Sequence, residues 1–173
     1  MKQFFLIISL AAMFTAKAAD SLQAELAPLK PFLGKTWRGV FKESKPENPT
    51  IDISRWERAL NGKAIRVLHS VNEGAYGGES IIRWDAEKKQ VTYYYFTTAG
   101  FMTTGTMTFA DGKITTYETV SGNASGITAV RATYTFSPNG GYALKSEYEK
   151  NGEWTPGREA SYTEDATAQV RFR

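Results

Sequence analysis

From Trp37 to about residue 163, apolar and polar residues alternate with a period of two. Clusters of Gly, Asn, Asp and Pro interrupt the alternation at short intervals. The pattern predicts about ten strands, at roughly 36–43, 50–59, 63–72, 78–85, 90–98, 101–109, 113–121, 127–137, 141–150 and 153–163. Asn61-Gly62, Asp111-Gly112, Asn139-Gly140 and Asn151-Gly152 are dipeptides that tolerate the positive φ a two-residue hairpin requires. Lys45 to Pro49, Gly74 to Gly78, Ala99-Gly100 and Gly122 to Gly126 mark the other links. Ahead of the strands, Asp20 to Leu26 offers a capping start, with Leu22 and Leu26 four apart. This predicts one short helix within 20–30, ended near Pro28.

Short links make neighbours in sequence neighbours in the sheet. An open meander of this length would expose two edges and an apolar face, and closure removes both. The expected fold is therefore all-β: a single up-and-down antiparallel β-barrel of about ten strands, with the short N-terminal helix covering one end. A two-sheet sandwich needs crossing connections that these links do not provide. An outer-membrane barrel needs a lipid-compatible face on every strand. Strand 113–121 offers either Ile114, Thr116, Glu118 and Val120 or Thr115, Tyr117 and Thr119, and neither set suits lipid. Ten strands enclose more space than eight, so the interior should keep a cavity.

The first residues change the compartment. Met1-Lys2-Gln3, the apolar run Phe4 to Ala16 and the small-x-small triplet Ala16-Lys17-Ala18 read as a cleavable signal peptide over residues 1–18. The run stops short of the roughly 20 apolar residues of a membrane span. This predicts a periplasmic or secreted protein whose barrel domain occupies residues 19–173. The chain of 173 residues contains no Cys, so disulfides and thiolate metal sites are ruled out. Its formal charge is +3, but losing Lys2 and Lys17 leaves 19 Lys and Arg against 18 Asp and Glu. No basic stripe remains for nucleic acid. Carboxylates without calcium-loop spacing and a single His make no metal site, and no cofactor is implied.

Three short motifs carry a family likeness. Pro31-Phe32-Leu33-Gly34-Lys35-Thr36-Trp37-Arg38-Gly39 resembles the helix-to-first-strand junction of calycin-like (lipocalin-like) barrels. Gly34 and Trp37 stand one residue further apart than the lipocalin Gly-x-Trp. Arg58 to Lys63 resembles the second hairpin, and Ile82 to Glu87 the aromatic-Asp turn after the fourth strand. The resemblance spans nearly all of 25–165; its nearest kin are uncharacterised exported bacterial proteins, with nitrobindin-type barrels further off. It implies a barrel that binds apolar ligands and no particular reaction. Haem-binding members would need a proximal His late in the chain; this chain has only His69, so haem does not carry over.

Few residues suggest chemistry. His69 is in phase with Ile65, Val67 and Val71 and should point inward. It reads as a hydrogen-bonded interior His, or as a ligand contact or general acid/base. Arg158 and Tyr162 should share a face with Trp154 and Ala160 on the last strand. They read as a clamp for a ligand carboxylate, or Arg158 stacks on Trp37 as a structural contact. Tyr134 and Tyr148 should join Tyr142, Leu144, Ser146, Val130, Ala132, Phe136, Phe101, Met107 and Phe109 in an aromatic interior. Tyr93 to Phe96 put aromatics on both faces of one strand, so one pair should lie outside. No Gly-x-Ser-x-Gly or other catalytic signature is present.

The sequence thus predicts an exported, non-catalytic barrel that holds a small hydrophobic or amphipathic molecule through His69, Tyr134, Tyr148, Arg158 and Tyr162. The alternatives are an enzyme with His69 or Glu118 as acid/base in the same cavity, and an envelope module that docks a protein through exposed aromatics. Cleavage after Ala18 makes Ala19 the first residue of the exported protein. N-terminal sequencing checks this, and retention of Met1 in the extracytoplasmic form would refute it.

Overall fold

The computed structural model describes residues 21–173, so the expected leader and Asp20 lie outside the described residues. Ten strands follow in order: β1 (Thr36–Phe41), β2 (Ile51–Ala59), β3 (Ala64–Val71), β4 (Tyr76–Asp85), β5 (Gln90–Thr97), β6 (Met102–Ala110), β7 (Lys113–Ser121), β8 (Ala129–Phe136), β9 (Tyr142–Lys150) and β10 (Glu153–Glu164). Each pairs antiparallel with its neighbour in sequence, and β1 pairs with β10, which closes the barrel. The expected meander is the fold.

The opening helix differs from the expectation. It is a 3-10 helix over Ala24–Phe32 and runs through Pro28 and Pro31 instead of stopping at the first proline. Its buried residues are Leu26, Leu29 and Phe32, spaced by three. That spacing matches three residues per turn and puts all of them on one face. They fill the end of the barrel where β1 begins. There Phe32 stacks on Trp56 at 4.4 Å and meets Phe136 and Tyr142 at 4.8 and 5.0 Å between ring centroids. Burial of each of these side chains stabilises the plug by about 1.5–3 kcal/mol.

Two of the four expected hairpin dipeptides form two-residue turns. Asp111-Gly112 and Asn151-Gly152 have φ of 51° and 69°, and of 54° and 80°. Asn139-Gly140 lies in a longer link, since Phe136 pairs with Tyr142. Asn61-Gly62 falls in a 3-10 turn, Leu60–Gly62, that receives the incoming chain. Gln23 N–H donates to the Gly62 carbonyl at 2.9 Å, and a Cβ on Gly62 would stand 2.3 Å from the Ser21 oxygen. β4 begins at Tyr76, two residues ahead of the expected start at Gly78, so Gly77, expected in a loop, belongs to the strand opposite Ser70.

The alternation predicted for β3, β6, β8 and β9 holds, and the interior of β7 is the Ile114, Thr116, Glu118, Val120 set. On β5, Tyr93 and Tyr95 face inward while Tyr94 and Phe96 are exposed. On β10 one expectation fails. Pro156 is opposite Glu147 but Glu159 is opposite Lys145, so a bulge adds one residue and reverses the phase. Arg158 and Tyr162 both line the interior, whereas Trp154 lies outside, its ring 4.5 Å from the Arg131 guanidinium and 6.2 Å from Tyr117.

The outer surface is the charged one. It carries the pairs Arg66–Glu79, Arg131–Glu147 and Lys145–Glu159 at 2.8, 2.6 and 3.2 Å. Such exposed pairs contribute little stability, about 0–1 kcal/mol each. They do fix polarity, because a lipid-facing belt excludes charge near its middle. No helix among the described residues is long and apolar enough to cross a membrane. Beyond β10 the chain turns back over the outside of β1–β3. Asp165 N–H donates to the Thr36 carbonyl at 2.9 Å, Arg171 N–H to Ser70 Oγ at 3.1 Å, and the Arg171 guanidinium pairs with Glu73 at 2.7 Å.

Inward glycines make room for inward tyrosines. Gly39 is the cross-strand partner of Tyr162, and Gly105 that of Tyr93. A Cβ on Gly39 would lie 2.3 Å from the Tyr162 ring, and one on Gly105 would lie 2.4 Å from the Tyr93 ring. Gly39→Ala should therefore cost about 1–3 kcal/mol by overpacking, read as a lower urea midpoint. An unchanged midpoint would show that the Tyr162 ring has another place to go.

Candidate functional site

The plug fills only one end. Above it lies a cavity of about 460 Å³ that reaches the opposite rim, where Phe41, Tyr76, Phe101, Asn123 and Arg158 stand. Its wall combines Trp56, Val67, Ile82, Met107, Ala132, Tyr134 and Leu144 with hydroxyls and two carboxylates, Asp52 and Glu118. Volume and lining are those of a small-molecule pocket. All five residues expected at the site, His69, Tyr134, Tyr148, Arg158 and Tyr162, line this one cavity.

They do not form the expected clamp. The Tyr162 hydroxyl is buried and donates to Asp52 Oδ2 at 2.8 Å, with its ring stacked on Tyr142 at 4.4 Å. Arg158 is exposed at the rim, its guanidinium 5.2 Å from the Phe41 ring centroid. It does not stack on Trp37. Trp37 is buried beside the plug and donates its indole N–H to the Phe32 carbonyl at 3.3 Å. The cause is register: Trp37 is opposite Glu164, six residues along β10 from Arg158.

His69 joins a chain of polar groups. Its Nδ1 lies 2.8 Å from Asp52 Oδ1, its Nε2 lies 2.6 Å from the Tyr95 hydroxyl, and that hydroxyl lies 2.9 Å from the Tyr76 hydroxyl. Neutral His69 donates Nδ1–H to Asp52 and accepts from Tyr95, which then accepts from Tyr76. Protonated His69 donates at both nitrogens, and Tyr95 passes its own proton on to Tyr76. Either state satisfies every member of the chain, and Asp52, inside the barrel, is held from both sides by His69 and Tyr162. Asp52, Tyr76 and Tyr95 escape the sequence reading. Asp52 sits between Ile51 and Ile53, which look like the inward pair; Trp56, in phase with Asp52, is the signal that reverses them.

Glu118 is placed differently. Thr103 Oγ1 donates to Glu118 Oε2 at 2.5 Å, and no cation among the described residues pairs with the carboxylate. Burial pushes its carboxyl above the usual carboxylate range, against the Thr103 hydrogen bond and the His69 charge. Burial also raises Tyr76, Tyr93, Tyr95 and Tyr134, and the Glu118 charge adds to the rise in each. Glu118 is thus the electrostatic centre of a tyrosine-lined chamber. Among the described residues no group of three or more His, Asp or Glu comes together to hold a metal ion.

No family profile and no curated protein sequence matches the chain. Among solved structures, the crystal structure of Rv2717c from M. tuberculosis superposes with a TM-score of 0.59 at 14% identity. The match covers 84% of this chain and 99% of that one. At that identity the likeness extends to the barrel alone.

The raised Glu118 carboxyl has a consequence for stability. The folded state holds its proton more tightly than the unfolded state does, so this contribution is full below the ordinary carboxylate range and is lost as pH rises through the folded value. Glu118→Gln lacks the titration. Its stability relative to the parent should therefore be more favourable at pH 7 than at pH 4, measured by urea unfolding at both. A difference independent of pH, or one of opposite sign, would contradict the placement.

Proposed function

We propose that this protein is an exported, calycin-like binding barrel that takes a small hydrophobic or amphipathic molecule into its lumen. One observation carries the reading: a cavity of about 460 Å³, plugged at one end and open at the other, with apolar walls and polar groups inside. His69, Tyr134 and Tyr148 contact the ligand from the wall, Arg158 stands at the rim, and Tyr162 acts by holding Asp52. The signal-like leader supports a periplasmic or secreted location. Binding without catalysis is favoured because the histidine is tied at both nitrogens within a saturated chain. A base poised for catalysis leaves one nitrogen to the substrate.

Ala132 lines the cavity, and Thr104 is exposed on the outer face of β6. Ala132→Trp should fill the lumen and abolish binding of an apolar fluorescent probe such as Nile red. Thr104→Trp should leave it unchanged, with both variants folded by circular dichroism. Retention of probe binding by Ala132→Trp would place the ligand elsewhere.

A further inference from the structure

The lumen holds two carboxylates in different states. Asp52 is saturated: His69 and Tyr162 occupy its two oxygens. Glu118 is half-buried, and among the described residues its hydrogen-bond partner is the Thr103 hydroxyl, on Oε2. Glu118 lines the cavity. Among the described residues that line the cavity, the basic side chains are His69, hydrogen-bonded to Asp52, and Arg158, exposed at the rim over Phe41. A carboxylate withdrawn in part from water without a cation beside it carries a desolvation cost, and a ligand that supplies the positive charge offsets part of it.

The surroundings of Glu118 point to the same chemistry. Tyr76, Tyr93, Tyr95 and Tyr134 line the cavity within range of its charge. Aromatic faces attract cations and repel anions, and an ammonium or quaternary ammonium group suits such a chamber. An anionic head in the same place would meet Glu118, and among the described lining residues the Arg158 guanidinium stands only at the rim.

We infer that the ligand is an organic cation, an amine or quaternary ammonium with an apolar body, whose charged head sits against Glu118 among the lumen tyrosines. The inference rests on the proposed binding role of the lumen and names its ligand class. The head group would meet the Glu118 carboxylate, and the apolar body would run along Met107, Ala132 and Leu144.

Three probes of equal chain length test it on the full mature chain by calorimetric titration: octyltrimethylammonium, octanol and octanoate. The cation should bind at least tenfold more tightly than either of the others, from a salt contact in a desolvated site together with aromatic attraction. In Glu118→Gln, which keeps the side-chain shape and an acceptor for Thr103, that ratio should fall to near one. Octanol or octanoate binding as tightly as the cation would overturn the inference and leave the binding barrel standing. A ratio retained in Glu118→Gln would also overturn it, because the preference would come from elsewhere. If none of the three binds, the lumen reading itself fails.

Discussion

Five residue pairs close the ring: Trp37 to Phe41 of β1 lie opposite Glu164 to Ala160 of β10. Everything inside follows from that closure. With no free edge the sheet has an inner and an outer face, and a ten-strand circumference encloses more volume than its inward side chains fill. The surplus is dealt with differently at the two ends. At one, Leu26, Leu29 and Phe32 enter from a 3-10 helix and meet Trp37, Trp56, Phe136 and Tyr142. At the other, short links leave the rim open and the surplus remains as a cavity. Dense packing and open volume are thus separated along the barrel axis.

Within the cavity, tyrosines are packed by glycines across the strand, and of the two carboxylates Asp52 has a partner on each oxygen while Glu118 has the Thr103 hydroxyl on one. Gly39 and Gly105 let the Tyr162 and Tyr93 rings lie flat against the wall, which keeps the lumen wide. Tyr162 in turn holds Asp52, and Asp52 holds His69. This chain of constraint fixes the polar groups in place, and a fixed wall would lower the ordering cost of the proposed binding. Glu118 stands outside that chain, and its incomplete satisfaction is the feature of the wall most suggestive of a ligand.

Strand positions were legible because turn chemistry and period-two alternation are local properties. The inward faces of β3, β8 and β9 followed for the same reason: Val67 and His69, Ala132 and Tyr134, and Leu144 and Tyr148 share phase with their neighbours. Three features were not legible. The bulge between Pro156 and Glu159 adds one residue and sends Trp154 outward, a change that alternation cannot register, although Pro156-Gly157 is the kind of sequence that permits it. The plug is a 3-10 helix, whose three-residue spacing only becomes decisive once there is a barrel end to fill. Asp52 meets Tyr162 across 110 positions of sequence, and such a pairing depends on closure, not on any local motif.

In the proposed role the lumen, and not the outer aromatic surface, receives the ligand. Two methionines report on it directly, since Met107 lines the cavity and Met102 is exposed on the outer face of the same strand. Nuclear Overhauser effects from an apolar ligand to the methyl-labelled methionines of the mature protein distinguish the two surfaces. A ligand held in the lumen gives transfer to the Met107 methyl and none to Met102. Transfer to Met102 alone would contradict it and would move the binding surface to the outside of the barrel.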